Sequence, residues 1–261
     1  MNRSTSKPPA KSTRARRAGR PAVSGRESRA ARSARAARIA DRLAEAYPAA
    51  RCSLDFASPF QLLVATILSA QCTDKRVNAV TGPLFRRWPD PAALAVARPR
   101  DLEGAIRTTG FFRAKAKSIL GCCQALVERH DGLVPRSLDE LVRLPGVGRK
   151  TANVVMGSAF GEATGVVVDT HVGRISRRLG LTRHADAVRA ERDLVKVVPR
   201  DHWIAFSHRL IEHGRTVCPS RSPRCDDCPL ADLCPRVGVP PARQRKAASR
   251  RPRAAGRSGD H

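Results

Sequence analysis

Four cysteines near the C-terminus have the spacing of a metal-binding loop. They follow the pattern C-x6-C-x2-C-x5-C, with prolines between them, and are Cys218, Cys225, Cys228 and Cys234. Four thiolates suit an iron–sulfur cluster or a structural zinc ion, and the spacing alone does not separate these two. Disulfides are a third alternative, which we disfavour because the chain lacks the cysteine density of a secreted scaffold. The other cysteines have no such spacing, and we expect small apolar core residues at Cys52, Cys72, Cys122 and Cys123.

A glycine-containing turn joins two predicted helices within residues 138–160. Pro145 is predicted to end the first helix, and the two glycines after it allow close backbone approach to a ligand. The N–H groups of the turn and of the following helix N-terminus can bind a phosphate oxygen. The residues concerned are Gly146, Val147, Gly148 and Arg149. An ordinary helix connection is the alternative, and the apolar residues upstream with small residues downstream favour the phosphate-binding hairpin.

Lys150 directly follows this turn. The chain contains 41 Arg and 8 Lys, so a lysine next to Arg149 hints that an amine is needed and not only a positive charge. A lysine amine can act as a nucleophile and form a Schiff base. A solvated or phosphate-contacting charge is the other interpretation of this residue.

Asp169 precedes a segment of helical apolar spacing that begins at Val172 and stops at Gly180. This position favours an N-cap role, in which a carboxylate oxygen accepts a backbone N–H. A capping carboxylate can still be reactive through its other oxygen. His171, in the first turn, is compatible with a DNA contact, a hydrogen bond to another site residue, or packing.

The elements that must position these residues are predicted to be helices almost throughout. Apolar stripes recur at three and four residues, as in Ile39–Leu43–Tyr47 and in Phe60–Leu63–Val64–Ile67. The best strand candidate, 166–168, is too short to imply a sheet. The sequence therefore predicts an all-α protein.

Charge indicates a polyanionic partner. The 261 residues carry 49 Lys plus Arg against 23 Asp plus Glu, a formal charge of +26, which favours nucleic acid by counterion release. An anionic membrane surface is the competing interpretation, but no apolar run is long enough to span a bilayer. Residues 1–35 and 237–261 are predicted to be disordered basic tails, because they lack apolar residues. These tails are expected either to add sequence-independent DNA affinity or to be solvated without a specific role.

Taken together, these motifs identify a family resemblance. The run Leu144-Pro-Gly-Val-Gly-Arg-Lys150-Thr-Ala-Asn-Val-Val155, then Val168-Asp-Thr-His171, then the four cysteines resemble the bacterial endonuclease III family of DNA glycosylases and apurinic/apyrimidinic lyases. Leu68-Ser-Ala-Gln-Cys-Thr-Asp74 and Thr109-Gly-Phe-Phe112 also belong to the resemblance, which covers about residues 39–236.

The resemblance implies a two-domain helix-hairpin-helix glycosylase fold with DNA in the cleft between the domains. One domain would be a helical barrel of residues 52–163, and the other would join 36–51 to 164–236 and hold a [4Fe-4S] cluster in its C-terminal loop. By position, Lys150 would be the nucleophile and Asp169 the essential carboxylate. Gln71 and Phe111 would be wedges that fill the gap left by an everted nucleotide, although the family usually has a smaller aliphatic residue at the position of Phe111.

The expected activity is excision of oxidised pyrimidines from duplex DNA and β-elimination at the abasic site. The expected partner is double-stranded DNA with damaged pyrimidines or abasic sites, bound by a cytoplasmic, nucleoid-associated monomer without a membrane. A monofunctional mismatch glycosylase would ordinarily lack Lys150. For a non-enzymatic DNA-binding module, the positions of Lys150 and Asp169 would be accidental.

Overall fold

A computed structural model describes residues 27–240, and this part of the chain is helical without any β-strand. The all-α prediction is confirmed. The helices are α1 (Arg29–Ala46), α2 (Pro59–Leu68), α3 (Asp74–Arg87), α4 (Pro91–Ala95), α5 (Pro99–Ile106), α6 (Phe112–His130), α7 (Leu138–Leu141), α8 (Arg149–Phe160), α9 (Thr170–Arg178), α10 (Ala187–Leu194) and α11 (Trp203–Thr216). Within the described range, no helix is both long and apolar enough to cross a bilayer.

The first hydrophobic core is built around α2. Every residue from Leu62 to Leu68 is buried, which is the pattern of a helix surrounded by other elements on all sides. Ser58 caps this helix by accepting the N–H of Gln61, and Pro59 occupies its first turn. Helices α3, α6 and α8 pack against α2, and α4 and α5 pack against α6. This core contains residues between Leu54 and Met156.

A second hydrophobic core is separate from the first and combines distant parts of the chain. The buried residues of α1, Ile39 and Leu43 among them, pack with residues between Val166 and Leu233. Helix α11 contacts both α1 and α9. The stripe predicted from Ile39 and Leu43 is therefore a core-facing stripe, because both residues are fully buried.

Helix α1 begins earlier than the sequence prediction placed it. Residues 29–35, predicted as part of a disordered tail, are helical, with Ser28 as N-cap. The physical reason is long-range contact: the guanidinium of Arg35 donates to the carbonyl oxygens of Leu179 (2.7 Å) and Leu233 (3.2 Å) and pairs with Glu27 (2.8 Å). The remaining parts of the two predicted tails, 1–26 and 241–261, lie outside the described residues.

The predicted hairpin is present, with α7 and α8 joined by the turn, but Pro145 does not end the first helix. That helix stops at Leu141, and the next residues form tighter turns in which Arg143 and Leu144 donate to the carbonyls three residues before them. A proline disfavours helical backbone in the residue before it. The helix therefore ends ahead of Pro145 and not at it.

Candidate functional site

An open cleft lies between the two cores and is lined by residues of both. Lys150 of α8 and Asp169 at the start of α9 both line it, as does Gln71. From the second core, α11 contributes Ser207, His208, Ile211, Glu212 and Arg215. The structure therefore brings the predicted nucleophile, the predicted carboxylate and one predicted wedge to a single surface.

Asp169 is the N-cap of α9, as its position in the sequence predicted. Its Oδ1 atom accepts the backbone N–H of Val172 at 2.7 Å. The residues on either side are anchored, because Val168 and Val172 are buried in the second core. Since the capping bond engages Oδ1, the carboxylate is held in a fixed direction and its other oxygen can act on a group in the cleft.

Lys150 lies in the first turn of α8 and is exposed. The residue before it, Arg149, is held by an ion pair with α10 of the second core. Its Nε donates to both carboxylate oxygens of Glu191, at 3.0 and 3.2 Å. Glu191 also accepts from Asn153 Nδ2 at 2.9 Å, and its side chain is only 8% exposed. This network connects the start of α8 to α10 and limits how far the backbone of Lys150 can move.

The turn before α8 has the geometry of a type II turn. Val147 N donates to Leu144 O at 3.1 Å, with Pro145 and Gly146 as the central residues and a φ of +76° at Gly146. A Cβ atom at Gly146 would lie 2.5 Å from the Cβ of Ser118 on α6. Gly148 caps α8 without a side-chain acceptor, so the first N–H groups of the helix point outward.

Gln71 and Phe111 share an unusual backbone conformation. Their φ angles are +52° and +48°, in the left-handed region that residues with side chains rarely adopt. Phe111 is 67% exposed although it is a large apolar residue. Gln71 is also exposed. Asp131 and Arg236 share this conformation, so it is observed at both predicted wedges without being specific to them.

His171 packs between α9 and α11. A Cβ atom at Gly214 would lie 2.7 Å from its Nδ1, and Arg174 Nη2 is 3.3 Å from the same atom. Burial lowers the pKa of His171. This is the packing alternative considered from the sequence, and a DNA contact by His171 stays a prediction.

The four cysteines of the C-terminal loop line one small pocket beside α9 and α11. The cysteines of the described residues form no disulfide bonds. In the same range, no three His, Cys, Asp or Glu side chains stand close enough to hold a single metal ion. Burial raises the pKa of the Cys228 thiol to about 11, so this thiol becomes a thiolate ligand only when a bound metal stabilises its charge.

Hydrogen-bond donors surround the cysteine loop. Arg178, which is 8% exposed, donates to Cys218 Sγ (3.1 Å), Pro219 O (2.8 Å) and Ser220 O (2.6 Å). Leu230 N lies 3.4 Å from Cys228 Sγ. Donors to sulfur stabilise thiolates and tune a bound cluster. The donor set therefore fits the sulfur-ligated group that the spacing predicted.

The other four cysteines agree only partly with the apolar core prediction. Cys122 and Cys123 are fully buried, and burial raises the pKa of Cys122 to about 12. Cys52 and Cys72 are half-buried, and Cys52 lines the cleft.

Sequence reasoning missed Glu191 and Arg178, since each is a charged residue whose partners lie about 40 positions away. The available signal was that each lies three positions from a buried apolar residue of its helix, Leu194 for Glu191 and Ile175 for Arg178. This spacing places a charged residue on the buried face of a helix.

Comparison with known proteins agrees with this geometry. The model of the HhH-GPD superfamily of base excision DNA repair proteins matches residues 64–200. Endonuclease III of Synechocystis is 58% identical over 193 residues, covering 74% of this chain and 88% of that protein. Endonuclease III of Escherichia coli K12 is 42% identical over 196 residues, covering 75% and 92%.

A solved structure of a trapped endonuclease III–DNA covalent intermediate superposes with a TM-score of 0.73 at 42% identity. It covers 84% of this chain and 99% of that one. A thermostable thymine-DNA glycosylase superposes with a TM-score of 0.69 at 20% identity, covering 77% and 96%. The second likeness shows a shared fold only.

Proposed function

Because the chain belongs to the HhH-GPD superfamily of base excision DNA repair proteins, we propose that it is a bifunctional DNA glycosylase and AP lyase. It removes oxidised pyrimidines from duplex DNA and cleaves the strand at the abasic site. The observation that carries this proposal is the placement of Lys150 and Asp169, from different cores, on one cleft. A glycosylase without lyase activity needs the carboxylate but has no use for a lysine amine at this position.

The reaction follows from these two groups. A base inside a duplex shields C1′ of its sugar, so the nucleotide must leave the stack before attack. The amine of Lys150 then forms a bond to C1′, and the damaged base departs with the electron pair of the glycosidic bond. Asp169 accepts the amine proton or offsets positive charge on the sugar. Ring opening gives a Schiff base, which loses a C2′ proton and expels the 3′ phosphate.

The DNA is held by the hairpin and opened by the wedges. The N–H groups of the turn other than that of Val147, which closes the turn, bind a phosphate together with the start of α8, where no side chain caps the helix. Gln71 and Phe111 enter the gap in the duplex and compensate part of the unstacking, which costs a few kcal/mol per step. We assign the first core to a domain of residues 52–163 and the second to 36–51 with 164–236, extended by residues 27–35, which Arg35 ties to it. The cleft between the two domains is assigned to the duplex. With DNA as substrate, the proposed location is the bacterial cytoplasm.

Borohydride trapping tests the nucleophile. Reduction of the Schiff base should give a covalent protein–DNA adduct on a duplex with a damaged pyrimidine or an abasic site, and Lys150→Gln should abolish it. DNA binding should persist in this variant, because the backbone N–H groups of the hairpin remain. Base release and strand scission are scored separately on the same gel. An adduct of undiminished yield with Lys150→Gln would show that the nucleophile lies elsewhere.

The cofactor of the cysteine loop is a [4Fe-4S] cluster held by Cys218, Cys225, Cys228 and Cys234. This assignment is supported by the shared pocket of the four residues and by the donors around it. When bound, the cluster supplies structural stabilisation, because four thiolates leave no open ligand position for hydrolytic chemistry. Arg178 and the loop carbonyls it binds hold the cysteines in place.

Iron content tests the cofactor. Protein purified without oxygen should contain about four iron atoms per chain, the stoichiometry of a cubane cluster with four thiolate ligands. Arg178→Met should lower the iron content and the melting temperature, because it removes the donor to Cys218 Sγ and to the carbonyls of Pro219 and Ser220. Arg177→Met is the matched control, since Arg177 is exposed on the same helix. Stoichiometric zinc without iron would contradict the assignment.

A further inference from the structure

Lys115 is a buried lysine that none of the steps above uses. It lies on α6 with only 5% of its surface exposed. Its neighbours on the same face, Ala116 and Ile119, belong to the first core. Burial lowers the pKa of its ammonium group. Because an ammonium group is costly to remove from water, its burial here requires specific compensation.

The compensation comes from two backbone carbonyls. Lys115 Nζ donates to Leu68 O at 2.8 Å and to Thr109 O at 2.8 Å. Leu68 is the last residue of α2, and Thr109 is the last residue of a 3₁₀ turn, Arg107–Thr109. The amine therefore connects the ends of two elements that are 47 and 6 positions away from it in sequence.

Each of these carbonyls lies just before one of the strained exposed residues. Gln71 follows Leu68 by three positions, and Phe111 follows Thr109 by two. Both have positive φ angles. The backbone N–H of Lys115 also donates to Phe111 O at 3.1 Å. One side chain thus holds the two segments that carry Gln71 and Phe111, which we call the wedge loops (69–73 and 109–112).

We infer that Lys115 is a positioning residue that fixes the separation and direction of the two wedge loops, an inference that rests on the proposed function. Two wedges enter one gap in the duplex only if their separation matches the gap. Loops that had to be ordered during base eversion would lose conformational entropy at that step. The buried ammonium orders them in advance, and its two charge-assisted bonds offset strained backbone at Gln71 and Phe111.

Lys115→Met is the direct test, since methionine has a similar length but no donor. The wedge loops matter only where a partner strand leaves a gap to fill, so two substrates are compared. We expect single-turnover excision of an oxidised pyrimidine from duplex DNA to fall about 10- to 100-fold. Borohydride trapping at an abasic site in single-stranded DNA should change less than about twofold, because Lys150 itself is intact.

Two controls separate positioning from stability and charge. Ile119→Val loses a buried methylene on the same helix face, and Lys117→Met removes an exposed charge two positions away. In both variants, the ratio of duplex excision to single-strand trapping should stay within about twofold of the wild-type ratio. At about 1.4 kcal/mol per tenfold change, twofold corresponds to about 0.4 kcal/mol. Lys115→Gln keeps N–H donors without the charge and serves if Lys115→Met does not fold.

A double variant tests whether Lys115 acts through the wedges. If it does, Phe111→Ala/Lys115→Met should excise about as slowly as the slower single variant, because coupled residues are not additive. The inference would be overturned if the double variant lost excision by the product of the two single-variant factors. It would also be overturned if Lys115→Met reduced activity equally on duplex and single-stranded substrates. If wild-type protein neither excises nor traps, the proposed function itself fails, which is a different result from an active enzyme that is indifferent to Lys115.

Discussion

At the scale of single residues, Asp169 combines an observed structural role with a proposed chemical one. As N-cap it accepts the backbone N–H of Val172, and its carboxylate also lines the cleft in which we propose that the sugar reacts. A second aspartate, Asp186, has the same capping geometry at α10, where it accepts from Arg189 N at 2.9 Å, but it does not line the cleft. The chain therefore contains its own control for capping.

We expect Asp169→Asn to lower the rate of base excision by about 10²-fold or more if the carboxylate transfers a proton. Folding should be kept, since asparagine caps helices about as well as aspartate. Asp186→Asn should leave excision unchanged and shift the melting temperature by a similar small amount. Normal excision by Asp169→Asn with an early melting transition would show that the carboxylate is only a cap.

The residues that sequence reasoning identified differ from those it missed in the range of their contacts. Lys150 and Asp169 stand in local patterns, a hairpin and a helix start, which a linear sequence displays. The charged residues that sequence reasoning missed each have at least one partner that lies 40 to 47 positions away: Lys115, Arg178 and Glu191. No local pattern encodes such a pairing. A charged residue in register with buried positions of a helix is the only trace that it leaves.

At the scale of elements, the hairpin depends on close packing against α6. Gly146 needs both a positive φ and the absence of a side chain, because its Cβ position is occupied by Ser118. Gly132 also has a positive φ, +73°, but open space around it. Local sequence predicted a hairpin here, whereas the contact with Ser118 follows only from the tertiary fold.

Gly146→Ala should therefore destabilise the protein more than Gly132→Ala does. Both substitutions cost about 1–2 kcal/mol for left-handed backbone, and only Gly146→Ala adds the clash with Ser118. The free energy of unfolding in urea measures the difference. Adding Ser118→Gly to Gly146→Ala should remove most of the excess. If the two alanine variants are equally stable, the approach of the turn to α6 is not as close as described.

At the scale of the whole molecule, the N-terminal residues divide into a strongly basic stretch and a stretch that contacts the second core. Residues 1–26 contain eight Lys or Arg, whereas residues 27–35 are tied to the second core through Arg35. The helical character of the chain was predictable from its apolar stripes. The division into two cores was not, because the partners of α1 lie more than 100 residues away and only the family resemblance assigned them.

Two truncations separate these contributions. Deleting residues 1–26 should weaken non-specific DNA binding and reduce its dependence on salt, since fewer counterions are released. Deleting residues 1–35 should also lower the melting temperature, because the bonds of Arg35 to Leu179 and Leu233 are lost. Single-turnover excision at saturating enzyme should stay the same after the shorter deletion. A marked fall in that rate would mean that residues 1–26 help to build the site.

The pairing of α1 with α11 also sets an order of events during synthesis. A ribosome releases α1 first, yet Tyr47 bonds to His213, which is 166 residues further along. At a synthesis rate of about 5–20 residues per second, roughly 10–30 seconds pass between the synthesis of α1 and that of its partner α11. During this interval the apolar face of α1 has no partner from α11. The residues of the first core emerge during that interval and can pack before the second core is complete. The cysteine loop emerges after α11, so its four thiol groups become available to the proposed cluster only when most of both cores has been synthesised.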